Sequence, residues 1–114
     1  MADKKIKVVM VEPGKEAYIT EIETGLEDYY SALGCDMIEA VYPFEDMVCL
    51  VCDEEGKMNG SEPNRALKNE DDIPYDVIYG KFFICDCSGE DFGGLSDELA
   101  EKYLRQFKAV EYFF

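Results

Sequence analysis

The pattern of apolar and polar residues between Met37 and Lys57 predicts two strands joined by a tight turn. Apolar side chains first occupy every second position, the spacing of a half-buried strand, at Ile38, Ala40, Tyr42 and Phe44. Residues 43–46 have turn chemistry, and residues 47–52 then form an unbroken apolar run, as expected for a central strand covered on both faces. This segment therefore predicts a β-hairpin in the middle of a sheet.

Similar patterns predict further strands on both sides of this hairpin. Alternating or continuous apolar residues predict strands over residues 6–12, 17–23 and 75–87. Gly80 lies inside the last of these and indicates a bulge or a close backbone approach. The segment before that strand is irregular, and we predict one helical turn at residues 64–67.

Two helices are predicted from their end signals and apolar spacing. Residues 24–27 fit a capping box ahead of a helix over residues 25–33, and Gly34 stands where a C-terminal cap is expected. Ser96 is a good N-cap for a second helix that extends to about residue 108. The order of elements predicts an α+β fold in one acidic domain over residues 1–114. Its mostly antiparallel sheet would have about five strands, with both helices on one face.

Composition restricts the partners of this domain. The chain has 26 acidic and 11 basic residues, a formal charge of −15. Direct binding of nucleic acid or of an anionic membrane is disfavoured because both require Lys and Arg, whereas binding to a basic protein surface is favoured. No apolar run reaches the roughly 20 residues of a membrane helix, and the N-terminal residues lack the apolar core of a signal peptide. We therefore expect a cytoplasmic protein.

The acidic residues are concentrated in one part of the chain. Residues 16–56 contain twelve Asp and Glu and no Lys or Arg. Acidic side chains held along a rigid sheet can imitate the phosphates of DNA and occupy a basic groove. The predicted protein-binding residues are Glu39, on the polar face of the first strand of the hairpin, and five acids at the two ends of the central strand: Glu45, Asp46, Asp53, Glu54 and Glu55.

The cysteines predict buried thiols rather than a metal site. The chain has five Cys and no His, including the spacings Cys49-x-x-Cys52 and Cys85-x-Cys87. On a strand, Cys49 and Cys52 point to opposite faces, so they cannot hold one zinc ion together. The lack of His removes the usual general base and most catalytic triads. We predict no metal, no cofactor and no enzymatic activity.

Asn64 and Arg65 suggest a second kind of site. Together they can bind a phosphate or a nucleobase edge, which predicts a pocket for a small nucleotide. Alternatively, Arg65 anchors its own loop by binding acceptors within the protein. The anchoring interpretation is the favoured one.

Three segments of the sequence form specific motifs: Glu39–Phe44 (EAVYPF), Asn64–Leu67 (NRAL) and Gly80–Ile84 (GxFFI). With these motifs, roughly residues 6–108 resemble an uncharacterised family, a domain of unknown function found in phages, plasmids and conjugative elements of Gram-positive bacteria. It implies an accessory protein of a mobile element, associated with counter-defence, and it brings no catalytic residues.

Three functional hypotheses follow. The first is a counter-defence inhibitor, of anti-CRISPR or anti-restriction type, that binds a basic host protein as a DNA mimic. The second is a sponge that sequesters a small nucleotide immune signal in a pocket near Asn64 and Arg65. The third is a structural or regulatory subunit. The apolar tail over residues 109–114 would either add a strand or pack on a partner, which allows a homo-oligomer.

Overall fold

A five-stranded antiparallel sheet forms the centre of the protein in a computed structural model, which describes residues 5–113. The elements are β1 (Lys5–Val11), β2 (Tyr18–Glu23), α1 (Leu26–Leu33), β3 (Ile38–Val41), β4 (Val48–Asp53), β5 (Pro63–Lys68), β6 (Pro74–Tyr79), β7 (Phe82–Asp86) and α2 (Asp97–Phe107). The strand order of the main sheet is β2-β1-β7-β4-β3, and β5 and β6 form a separate two-stranded sheet. Each helix follows a strand of the main sheet along the chain.

The predicted central hairpin is confirmed. β3 pairs with β4 in antiparallel register, with Ile38 opposite Asp53 and Val41 opposite Leu50. The first five residues of β4 are all buried, so this strand is covered on both faces, as its unbroken apolar sequence predicts. The α+β class with a five-stranded antiparallel sheet is likewise confirmed.

The two helices cover opposite faces of the main sheet, so the prediction that both lie on one face is wrong. Tyr103 and Phe107 of α2 belong to one core together with Leu50 of β4. Tyr29 of α1 belongs to the other core together with Val51, the next residue of β4. Successive side chains of a strand point to opposite faces, and β4 is apolar on both, so each face requires its own cover.

Residues 64–67 form part of a strand, and the predicted helical turn there is wrong. They belong to β5, which pairs with β6 and places Leu67 and Ile78 in the core under α2. Strand pairing and burial decide the conformation here against the helical propensity of an Arg-Ala-Leu sequence.

The predicted long strand over residues 75–87 is divided into β6 and β7, which lie in different sheets. Gly80 makes the break with a positive φ of 84°, and its N–H donates to the carbonyl of Glu62 at 2.8 Å. A left-handed conformation is accessible to glycine at little cost, so the chain changes sheets at this residue.

The ends of the helices agree with most of the predicted signals. The Oγ of Ser96 accepts a hydrogen bond from the Leu99 N–H at 3.2 Å, and Gly34 ends α1 with a φ of 67°. The N-cap of α1 is Gly25 rather than Thr24, so this helix begins one residue later than the capping box predicts.

Candidate functional site

The six predicted protein-binding acids lie at two separate ends of the β3–β4 hairpin. Glu45 and Asp46 are in the loop that joins the two strands, whereas Asp53 ends β4 at the opposite end and Glu54 and Glu55 follow it. The six residues of β4 span roughly 17 Å at about 3.4 Å per residue, so the two groups do not form one compact cluster. Glu39 lies on β3 opposite Cys52, near the second group.

Asp46 is engaged within the protein. Its Oδ2 accepts hydrogen bonds from the Lys102 ammonium at 2.6 Å and from the Tyr103 hydroxyl at 2.7 Å. These donors, Lys102 first, hold the pKa of the Asp46 carboxyl below its ordinary value. Asp46 therefore ties the hairpin loop to α2 and offers less of its charge to a partner.

Asp53, the last residue of β4, is also engaged within the protein. Its carboxylate accepts from the Asn59 amide at 2.8 Å and from the Glu55 N–H at 2.9 Å. The other four predicted acids are exposed to solvent: Glu39, Glu45, Glu54 and Glu55. These four residues, rather than all six, form the accessible part of the predicted surface.

The acid-rich segment as a whole passes from one edge of the main sheet to the other. It begins before the edge strand β2, continues through α1 over one face, and reaches the other edge strand, β3. Four spacings of about 4.8 Å place the two edges roughly 19 Å apart. Nine of the twelve acids between residues 16 and 56 are exposed. The segment thus displays negative charge across the width of a rigid sheet.

Asn64 and Arg65 are both fully buried, at 0% exposure. The Asn64 amide donates to the carbonyls of Val11 and Gly80 at 3.0 and 2.9 Å. The Arg65 guanidinium donates to the carbonyl of Phe107 at 3.0 Å, to that of Lys15 at 2.7 Å and to the side-chain oxygen of Asn64 at 2.8 Å. Together they connect β5 to the end of β1, to the loop after it and to the end of α2.

These contacts agree with the anchoring interpretation of Arg65. Burial lowers the pKa of the guanidinium from its ordinary value, and the Glu111 carboxylate opposes that shift. The carbonyl of Phe107 is at the negative end of α2, which stabilises a cation there. Neither Asn64 nor Arg65 lines any of five clefts on the surface of the described residues.

A cleft of about 500 Å³ opens where three elements meet: the β3–β4 loop, the β5–β6 hairpin and α2. Tyr42 and Tyr75 line it and are 66% and 57% exposed, respectively. No sequence pattern predicted this site. The sequence contains two tyrosines next to prolines at strand ends, Tyr42-Pro43 and Pro74-Tyr75. It does not indicate that these two pairs lie close together in the fold. The other lining residues are Phe44, Glu45, Lys68, Asn69, Glu70, Lys102, Tyr103 and Gln106.

The cysteines are distributed as the strand pattern predicts. Cys49 lies in the core under α1 and Cys52 in the core under α2, on opposite faces of β4. Cys49 is paired with Cys85 across the sheet, and the two sulfurs are 3.6 Å apart. Burial raises the pKa of Cys52 to about 12, so this thiol stays protonated at neutral pH.

The C-terminal tail does not add a strand within the described residues. Glu111 accepts a hydrogen bond from the Ala66 N–H of β5 at 3.0 Å, so the tail packs on its own domain there. Tyr112 and Phe113 remain 77% and 39% exposed, and Phe114 lies outside the described residues.

The fold and these surfaces define a small acidic α+β protein. No helix among residues 5–113 is long and apolar enough to cross a membrane. The chain belongs to the family described as Domain of unknown function (DUF3846), whose model matches residues 6–108. This confirms an uncharacterised family over the expected span. No curated protein and no solved structure gives a significant match.

Proposed function

We propose that the protein is a non-enzymatic inhibitor that binds the basic groove of a nucleic-acid-binding host protein in place of DNA. The observation that supports this proposal is the acid-rich segment over residues 16–56, with twelve acids and no Lys or Arg, which crosses the main sheet from edge to edge. A rigid array of charge associates rapidly with an oppositely charged surface, because its geometry is fixed before the partners meet.

The biological setting of this proposal follows from the family resemblance. The protein is an accessory protein of a phage or another mobile element and acts in the bacterial cytoplasm. Its target is a restriction or CRISPR nuclease of the host. These nucleases hold DNA or a heteroduplex in positively charged channels, and a protein of formal charge −15 complements such a channel.

A competition assay tests this function. A labelled DNA duplex is bound to each of a panel of restriction and CRISPR nucleases, and the protein is added as competitor. We expect it to displace DNA from at least one enzyme, with an apparent affinity that falls as salt rises from about 0.05 M to 0.5 M, since the screening length falls to a few ångströms.

A matched pair of charge variants makes the assay specific. The first variant reverses the four accessible predicted acids to Lys, at Glu39, Glu45, Glu54 and Glu55. The control variant reverses four exposed acids outside the acid-rich segment: Glu62, Asp71, Asp91 and Glu101. Both variants change the net charge equally. Loss of displacement by the first variant alone supports the proposal, and an equal loss in both variants contradicts a defined binding surface.

A nucleotide sponge at Asn64 and Arg65 is the alternative proposal. It requires these two side chains to release acceptors that they bind inside the protein. The apolar tail gives a further proposal, a homo-oligomer formed through the exposed rings of Tyr112 and Phe113. Sedimentation of the protein with and without residues 112–114 tests this association.

A further inference from the structure

We propose that the cleft lined by Tyr42 and Tyr75 binds an arginine side chain of the basic partner. This inference rests on the proposed function and names the residue type that the protein recognises at one site. The occupant is an arginine on a basic protein segment, and the recognising groups are two exposed aromatic rings with two carboxylates beside them.

The aromatic part of the cleft provides surfaces on which a guanidinium can stack. Tyr42 and Tyr75 are each more than half exposed, although tyrosine rings contribute most to stability when they are buried. The planar, weakly hydrated guanidinium stacks on such rings better than an ammonium does. The cleft already contains one contact of this type, because the Lys102 ammonium lies 5.4 Å from the centre of the Tyr103 ring.

The charges at the cleft favour a cation over an anion. Lys102 is neutralised by Asp46 at 2.6 Å, and Lys68 is 4.0 Å from Asp72. The remaining charged side chains that line the cleft are Glu45 and Glu70, both exposed, and neither belongs to an ion pair among the described residues. An arginine in the cleft therefore has two carboxylates that can accept its N–H groups, whereas both lysines of the cleft already have a carboxylate partner.

Contacts within the protein hold two parts of the cleft in place. Phe44 packs against the rings of Tyr103 and Phe107, with centroids 4.7 and 6.0 Å away. The Oδ1 of Asn69 accepts the backbone N–H groups of Asp71 and Ile73, which fixes the β5–β6 turn. Because internal contacts hold Phe44 and the β5–β6 turn, these two parts of the cleft are in place before a ligand binds.

Titration of the full-length, ¹⁵N-labelled protein with two matched peptides tests the inference. The probes are N-acetyl-Gly-Arg-Gly-amide and N-acetyl-Gly-Lys-Gly-amide, which carry the same charge and differ only in the cationic side chain. We expect the arginine peptide to shift the backbone amide signals of Asn69, Tyr75 and Gln106, and to bind about twofold to fivefold more tightly than the lysine peptide.

Variants assign the effect to the cleft. Tyr42→Ala and Tyr75→Ala should each remove the preference for arginine, and Glu70→Gln should weaken both peptides. Tyr112→Ala removes an exposed ring on the tail, outside the cleft, and should leave the titration unchanged. Retention of the arginine preference in both cleft variants would overturn the proposal.

Three further outcomes distinguish arginine recognition at the cleft from the DNA-mimic function. Equal shifts by both peptides, spread over residues 16–56, overturn arginine recognition and leave a binding surface that acts through charge alone. Shifts of the cleft signals by adenosine monophosphate, with none by the arginine peptide, overturn the proposal in favour of a nucleotide. Selective binding of the arginine peptide, together with failure to displace DNA from any nuclease, supports the cleft and contradicts the DNA-mimic function.

Discussion

The Nε of Arg65 donates to the main-chain carbonyl of Phe107 at a distance of 3.0 Å. This bond joins the middle of β5 to the last residue of α2, although the two residues are 42 positions apart in the chain. The Arg65 guanidinium is fully buried and shares no ion pair with a carboxylate among the described residues. Its positive charge is balanced mainly by carbonyl oxygens, so any change at this position leaves several buried acceptors unpaired.

Arg65→Ala should strongly destabilise the protein. It removes the donors to the carbonyl of Phe107 and to the side-chain oxygen of Asn64 and leaves a cavity, and each unsatisfied buried acceptor costs about 1–3 kcal/mol. We therefore expect a loss of roughly 3 kcal/mol or more in urea unfolding. Arg105→Ala, at an exposed position on α2, is the matched control and should change stability by less than about 0.5 kcal/mol. An Arg65→Ala protein of normal stability would contradict the anchoring role.

Phe107→Ala should lower the free energy of unfolding by about 3–5 kcal/mol, the usual cost of removing a buried aromatic ring. The ring is 3% exposed and packs edge-on against Phe82 with centroids 5.4 Å apart. Phe113→Ala deletes the same group at a position that is 39% exposed, and should cost much less. Equal losses in the two variants would mean that the tail ring is as well packed as the ring on α2.

Asp46→Asn should lower the melting temperature at pH 7 but not at low pH. The folded-state pKa of Asp46 is lowered by Lys102 and Tyr103, so its stabilisation is present above the unfolded pKa of about 3.9 and is lost as pH falls through the folded value. Melting curves between pH 7 and pH 2 should therefore converge for the two proteins. Glu45→Gln, one residue earlier and exposed, is the matched control and should lower the melting temperature at pH 7 by less. A difference that persists at pH 2 would exclude the ionised carboxylate as its cause.

The five thiols should react with a disulfide reagent at very different rates. Cys49, Cys52 and Cys85 are buried in the native protein, whereas Cys35 and Cys87 are half-buried. At pH 8 we expect two thiols to react first and all five to react after denaturation, as counted by mass spectrometry. Cys35→Ser and Cys87→Ser should each remove one rapidly reacting thiol. Rapid modification of Cys52, whose pKa burial raises to about 12, would contradict its position in the core.

The parts of the fold that follow from local patterns were predictable. The unbroken apolar sequence of residues 47–52 indicated a strand covered on both faces, and Ser96 and Gly34 marked helix ends. The same apolar sequence already required a cover on each face. The pattern does not say which element supplies each cover, and for this reason the arrangement of the helices was predicted wrongly.

Long-range pairing explains the other differences. Residues 64–67 favour a helix locally and become a strand only because β6 lies beside them. The apolar alternation is similar before and after Gly80, so nothing in it indicates that the chain enters a second sheet. In the candidate site, the acids that remain accessible could not be distinguished from Asp46 and Asp53. The sequence does not show that Asp46 lies beside Lys102 or that Asp53 lies beside Asn59.

The late position of β7 in the sequence affects how the nascent chain can fold. β7 lies between β1 and β4 in the main sheet and joins the β1–β2 hairpin to the β3–β4 hairpin. A ribosome must therefore synthesise the chain through residue 86 before the sheet can close. Until then, β1 and β4 each have an unpaired edge, and unpaired edges of apolar strands promote association between chains. The protein is thus most exposed to aggregation or chaperone capture after β4 has been synthesised and before β7 is complete.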